Sequence, residues 1–120
     1  MKKVLVVDDM AFIRFSLRQM LEKNGYEVAG EAANGEEAVE KYELCAPDIV
    51  TMDITMPKMS GIEAMKAILA KHPQAKVVMV SAMGQESFIK EAIIHGAKYF
   101  IVKPFEEGKV VETINKIAAL

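Results

Sequence analysis

Short apolar runs separated by amphipathic stretches constrain this chain more than any other feature. Val4 to Val7, Asp48 to Met52, Lys76 to Val80 and Tyr99 to Val102 hold runs too short for a buried helix. They are also too continuously apolar for strands with one wet face, so both faces are expected to be covered. A fifth stretch, Glu27 to Ala32, alternates weakly and is assigned to an edge strand. Between these lie segments with helical spacing. Ile13, Leu17, Met20 and Leu21 share a face within Ala11 to Asn24, and Gly25 stops that helix. Ala38, Val39, Tyr42 and Cys45 share a face of a second helix, which opens at Asn34 with Glu37 three residues on and ends at Pro47.

A Ser60–Glu63 capping box opens a third helix that carries Ile62, Met65, Ile68 and Leu69 inward. The fourth spans about Gln85 to His95, with Ile89, Ala92 and Ile93 inward and a stop at Gly96. The last begins near Glu106 and carries Val110, Val111, Ile114 and Ile117 on its apolar side. Helices of this length are the crossovers that parallel strands need. The expected fold is therefore α/β, a doubly wound, five-stranded parallel sheet with five helices.

At 120 residues, with no internal repeat or linker, the chain is expected to be one domain over residues 1–120. A hydrophobic fraction of 52% with 27% charged residues excludes a disordered chain. A net charge of -2 argues against a nucleic-acid footprint. No stretch is long enough to span a membrane. The apolar run after Lys2-Lys3 stops at Asp8-Asp9, which does not suit a signal peptide. A single cysteine fits a reducing compartment, so a cytoplasmic location is expected.

All strand ends of a parallel sheet point the same way. The first therefore delivers Asp8 and Asp9 to one edge, the third Asp53, the fourth Ser81 and the fifth Lys103. Each has a plainer role open to it: Asp9 as a helix cap, Asp53 and Ser81 as turn formers, Lys103 as a solvated charge. Their joint arrival at the edge where open α/β sheets bind ligands favours a site. Three converging carboxylates need more counter-charge than one lysine supplies, and a divalent cation is the expected remedy. With only oxygen donors at hand and few of them, Mg²⁺ suits the set better than Ca²⁺. Such a cluster is fit for phosphoryl transfer, with Asp53 as nucleophile and Ser81 and Lys103 steadying the transferred oxygens.

Asp8-Asp9, Asp53 with Met56-Pro57 and Gly61, Ser81-Ala82 and Lys103-Pro104-Phe105 together resemble the receiver domain of two-component response regulators, over Lys3 to about Ile117. The Met52–Pro57 and Ser81–Gln85 stretches are most similar to the chemotaxis regulators of that family. The resemblance implies a flavodoxin-like strand order 2-1-3-4-5. It implies that Asp53 is phosphorylated by a sensor histidine kinase (CheA-like), and that Asp8, Asp9, Asp53 and the Thr55 carbonyl hold Mg²⁺. Ser81 and Phe100 are the implied switch pair, and Lys103-Pro104 the implied cis bond. Thr55 and Met83 fall where the family tunes its dephosphorylation rate. Phe100 stands where many chemotaxis regulators carry tyrosine, so it lacks the hydroxyl for a partner contact.

A flagellar motor switch protein (FliM-like) or another output protein is the expected partner of the face formed by helix 4, strand 5 and helix 5. Lys90, Ile94, His95, Tyr99 and Lys116 are the candidate residues there. Met10, Phe12 and Phe15 are candidates for a second docking surface, for a phosphatase or other partner, with local packing the plainer role equally open to them. No nucleic acid or membrane partner is expected, and the chain is expected to be a monomer. The alternative within the family is a stand-alone receiver of another phosphorelay. Two rivals lie outside it. A haloacid-dehalogenase-type phosphohydrolase would place an aspartate at Thr55, and a flavodoxin would need a hydroxyl- and glycine-rich loop where Asp8-Asp9-Met10 stands.

Overall fold

The computed structural model describes residues 1–120. Strand and helix alternate throughout: β1 (Lys3–Val7), α1 (Ala11–Lys23), β2 (Glu27–Ala32), α2 (Gly35–Cys45), β3 (Ile49–Asp53), α3 (Gly61–Lys71), β4 (Val77–Ser81), α4 (Glu86–Ile94), β5 (Tyr99–Val102) and α5 (Glu107–Ala118). Every strand pairing is parallel, and the order is β2-β1-β3-β4-β5. The weakly alternating second strand therefore lies at an edge. No helix is long and apolar enough to cross a membrane.

Two apolar layers flank the sheet, because residues of alternate parity on each strand face opposite ways. Leu5, Val50, Met52, Val77 and Met79 meet Ala38 of α2, Met65 and Ile68 of α3 and Ala92 of α4. Val4, Val6, Ile49, Val78 and Ile101 meet Leu17 and Leu21 of α1 and Val110, Ile114 and Ile117 of α5. β1, β3 and β4 are shut off from water along almost their whole length, as their continuous apolar runs require.

Helix boundaries follow local chemistry. Ser60 accepts from the Glu63 amide while the Glu63 side chain accepts from the Ser60 amide, the expected capping box. At α2 the reciprocal bond is displaced by one residue. Asn34 accepts from the Glu37 amide, but Glu37 Oε1 takes the amide of Ala33 at 2.8 Å. Helix α2 ends on Ala46 in the left-handed region (φ 45), a conformation whose Cβ crowds the following carbonyl. Ala46→Gly is accordingly expected to stabilise the fold by about 0.5–1 kcal/mol, net of the extra freedom glycine gives the unfolded chain. A raised denaturation midpoint at unchanged m-value would show it; a lower midpoint would refute it.

Three expectations need correction. Asp53 and Ser81 are the last residues of their strands rather than the first after them, because both still pair with neighbours, Asp53 with Val80 and Ser81 with Val102. Ile93 does not point inward: it is 43% exposed, and Ala92 and Ile89 alone carry the inner side of the short α4. Val111 is only half-buried on α5.

Candidate functional site

The ends of β1, β3, β4 and β5 meet at one edge, and the sheet ladder sets their relative heights. Asp8 is held by its amide, which donates to Ala32 O at 3.0 Å. Its Oδ1 accepts from the Met10 amide at 2.9 Å, a turn that leads into α1, and no side chain caps that helix, Asp9 included. Asp53 follows Met52, the partner of Val7, and Lys103 extends the ladder by donating its amide to Ser81 O at 2.7 Å. The Lys103-Pro104 bond is cis.

The side chains converge. Lys103 Nζ lies 2.9 Å from Asp8 Oδ2 and 3.4 Å from Asp53 Oδ1. Carboxylate oxygens of Asp8, Asp9 and Asp53 all lie within 4.8 Å of one another. Asp8 and Asp53 are buried, whereas Asp9 is exposed. Burial raises the Asp53 pKa to about 6; the Asp8 carboxylate adds to the rise and Lys103 only partly offsets it. Burial also pulls the Lys103 ammonium down, but its contacts with Asp8 and Asp53 prevail and raise its pKa. Lys103 and the Ile54 amide both engage Asp53 Oδ1, which leaves Oδ2 without a protein partner.

Ser81 Oγ is fully buried and has no hydrogen-bond partner. Such an atom costs free energy unless a ligand serves it. Thr55 is exposed at the rim, and its Oγ1 accepts from Gln85 Nε2 at 3.0 Å, while Gln85 Oε1 takes the Ala82 amide at 2.7 Å. Gln85 so bridges the β3–α3 and β4–α4 loops.

These two loops are built differently. A Cβ on Gly61 would fall far inside contact distance of the Asp53 carbonyl oxygen, and one on Gly35 would strike the Met59 carbonyl. The β3–α3 loop is thus interlocked with the backbone around it. Gly84, at φ 91 in the β4–α4 loop, has nothing near the place of its missing Cβ. Its neighbour Met83 is 79% exposed.

The acidic set fits Mg²⁺. Its ligands are oxygens, and they are more negative together than Lys103 can balance. The spread of these oxygens, no more than 4.8 Å, is close to the about 4.2 Å that two ligands across one Mg²⁺ span.

Away from the acids, Phe100 packs partly against the larger core layer and makes an edge contact with Tyr99, 5.5 Å between centroids. Phe100 also lines an apolar groove with Met83, Ile89, Ile93, Ile94 and Val102. Of the residues expected on this face, Lys90, Ile94, His95 and Lys116 are exposed and Tyr99 is half-buried, with Lys116 Nζ 5.8 Å from the Tyr99 ring centre. Met10, Phe12 and Phe15 are exposed by 54%, 74% and 50% at the start of α1. Sequence reasoning missed Gln85, and Arg14, whose Nη1 donates to the Asp8 carbonyl oxygen at 2.6 Å. Neither stands at a strand end, and each reaches the site only through its side chain.

A parallel sheet with three carboxylates, a lysine and a buried hydroxyl at one edge defines an acidic-pocket phospho-acceptor class. Residues 4–115 match the response regulator receiver domain, and the chain belongs to that family, among its CheY-like members. It is 59% identical over 117 residues to the chemotaxis protein CheY of Thermotoga maritima, covering 98% of both chains. With CheY of Bacillus subtilis it shares 55% identity over 95% of each. Among solved structures it is similar to CheY in the CheX-CheY-BeF3-Mg complex from Borrelia burgdorferi, with TM-score 0.92, 43% identity, and coverage of 97% of this chain and 88% of that one. Receiver domains bind Mg²⁺ at an acidic pocket, and that complex contains Mg. Neither the phosphohydrolase nor the flavodoxin rival has support from these likenesses.

Proposed function

We propose that Asp53 accepts a phosphoryl group from a phosphohistidine of a sensor histidine kinase in a Mg²⁺-dependent reaction, and that the modified protein controls a partner in chemotaxis. The observation that carries this reading is the buried Asp53 carboxylate facing Asp8, Asp9 and Lys103 beside an unpaired Ser81 hydroxyl. With a pKa of about 6, Asp53 is mostly ionised at neutral pH, as a nucleophile must be. Its free Oδ2 bonds to phosphorus as the phosphorus–nitrogen bond breaks, and the imidazole leaves with a proton from solvent.

Lys103 Nζ stays within reach of the new phosphoryl oxygens, and Ser81 Oγ gains in them the partner it lacks. Asp8, Asp9, Asp53 and the Thr55 carbonyl are the residues that would hold Mg²⁺. A bound Mg²⁺ supplies positive charge against the transferring group. Once Ser81 is drawn towards the phosphoryl group, Phe100 can turn inward and reshape the groove along α4 and β5. The likeness to chemotaxis proteins supports a chemotaxis partner for that face, such as a flagellar motor switch protein, and the exposure of Met10, Phe12 and Phe15 supports a separate docking surface for a phosphatase or other partner.

The test is incubation with a small acyl phosphate donor and intact-mass measurement. One phosphoryl mass is expected with Mg²⁺, and none after chelation or in Asp53→Asn. Full labelling of that variant would remove Asp53 from the role.

A further inference from the structure

We infer that Arg14 is a positioning residue for the cation site, aiming the Asp9 carboxylate by fixing the peptide plane between Asp8 and Asp9. The inference rests on the reading of the acidic cluster as a Mg²⁺ site. Arg14 is on the second turn of α1 and only 19% exposed. Its Nη1 donates to the backbone oxygen of Asp8 at 2.6 Å, and its Nε donates to Glu31 Oε1 at 3.1 Å. Glu31 belongs to the neighbouring strand β2, and its other oxygen takes Arg18 Nε at 2.8 Å. Burial pushes the Glu31 carboxyl up, but the bonds from Arg18 and Arg14 prevail and hold it below its ordinary value. The planar guanidinium thus ties a carbonyl on the β1–α1 loop to a fixed charge on the sheet. The rigid planar fork holds both partners in one fixed geometry, which a rotating ammonium on a flexible stem does not.

Besides its carbonyl, Asp8 is held at three further points: its amide by Ala32, its Oδ1 by Met10 and its Oδ2 by Lys103. Asp9 is held at none, since no hydrogen bond or ion pair engages its exposed carboxylate. The direction of its Cα–Cβ bond depends on the preceding peptide plane, and Arg14 is the side chain that grips that plane. Groups that orient a metal ligand without touching the metal typically change affinity by about 10–100-fold when removed.

The electrostatic effect has the opposite sign. Deleting a cation near an acidic cluster should tighten Mg²⁺ binding slightly, so the sign of the change separates positioning from simple charge.

The experiment measures Mg²⁺ affinity by following the amide resonances of Asp9 and Asp53 in the full chain, with unfolding measured separately in chelator. Arg14→Gln is expected to weaken Mg²⁺ about tenfold, and Arg14→Lys is expected to recover part of the loss. Arg18→Gln is the control: it breaks the same Glu31 network without touching Asp8, and its Mg²⁺ affinity should stay within about twofold of wild type. Affinity unchanged or tightened in Arg14→Gln overturns the inference, as does an equal loss in Arg18→Gln. If Arg14→Gln fails to fold, Glu31→Gln, which frees the guanidinium from its anchor, is expected to weaken Mg²⁺ severalfold, and an unchanged affinity there overturns it equally. A wild-type protein that takes no Mg²⁺ would instead refute the reading of the cluster itself.

Discussion

Gly61→Ala is expected to be the most damaging single methyl in the chain, costing about 3 kcal/mol or more and lowering the melting temperature by about 10 °C. The reason is proximity and not backbone freedom. The added Cβ would overlap the carbonyl oxygen of Asp53 and lie 3.0 Å from Met52 Cγ. The Gly61 amide meanwhile donates to Ile54 O at 2.8 Å, so the loop cannot retreat without losing that bond. Any relief must move Asp53, and phosphoryl uptake should fall along with stability. Thermal unfolding followed by circular dichroism checks this. A fall of only a degree or two, with labelling intact, would mean that the loop absorbs the methyl.

Asp53→Asn is expected to act in the other direction on stability while abolishing phosphorylation. In the metal-free protein the folded state holds the Asp53 proton up to a pKa of about 6, against an ordinary 3.8. Between those values the folded chain binds more protons than the unfolded one, so stability falls as pH rises through the window. Above it the whole penalty stands. Asparagine keeps the shape without the charge. Because the carboxyl retains some contact with solvent, the gain is put at about 1–2 kcal/mol at pH 7.5. It should shrink towards zero as pH falls below about 4, and also shrink in Mg²⁺, where counter-charge relieves the wild type. Equal stability of the two proteins at pH 7.5 in chelator would show that the carboxylates are not in conflict.

Most of the architecture was legible because it rests on periodicity. The apolar runs of β1, β3 and β4 could only be strands covered on both faces, and the Ser60–Glu63 cap fixed the start of α3. Convergence of Asp8, Asp53 and Lys103 followed from parallel strand direction alone. The lateral order was legible only at one edge: the weak alternation of Glu27 to Ala32 marked an edge strand, but nothing in the other strands' own residues orders them as 1-3-4-5, and that came from resemblance. Side-chain reach was equally hidden. Arg14 and Gln85 act across gaps in sequence of 17 and 30 residues, to Glu31 and Thr55, and no local pattern encodes such pairings. Ile93 misled because α4 is short and its helical face is narrower than the run Ile89, Ala92, Ile93 suggests.

The contrast between Gly61 and Gly84 gives the pocket one stiff wall and one compliant wall. Steric interlocking clamps the segment after Asp53, whereas the segment after Ser81 is tethered mainly through the carboxamide of the half-buried Gln85. On the proposed reading, the change that follows phosphorylation of Asp53 flows out through the softer side, towards α4, and which wall yields sets the direction of the response.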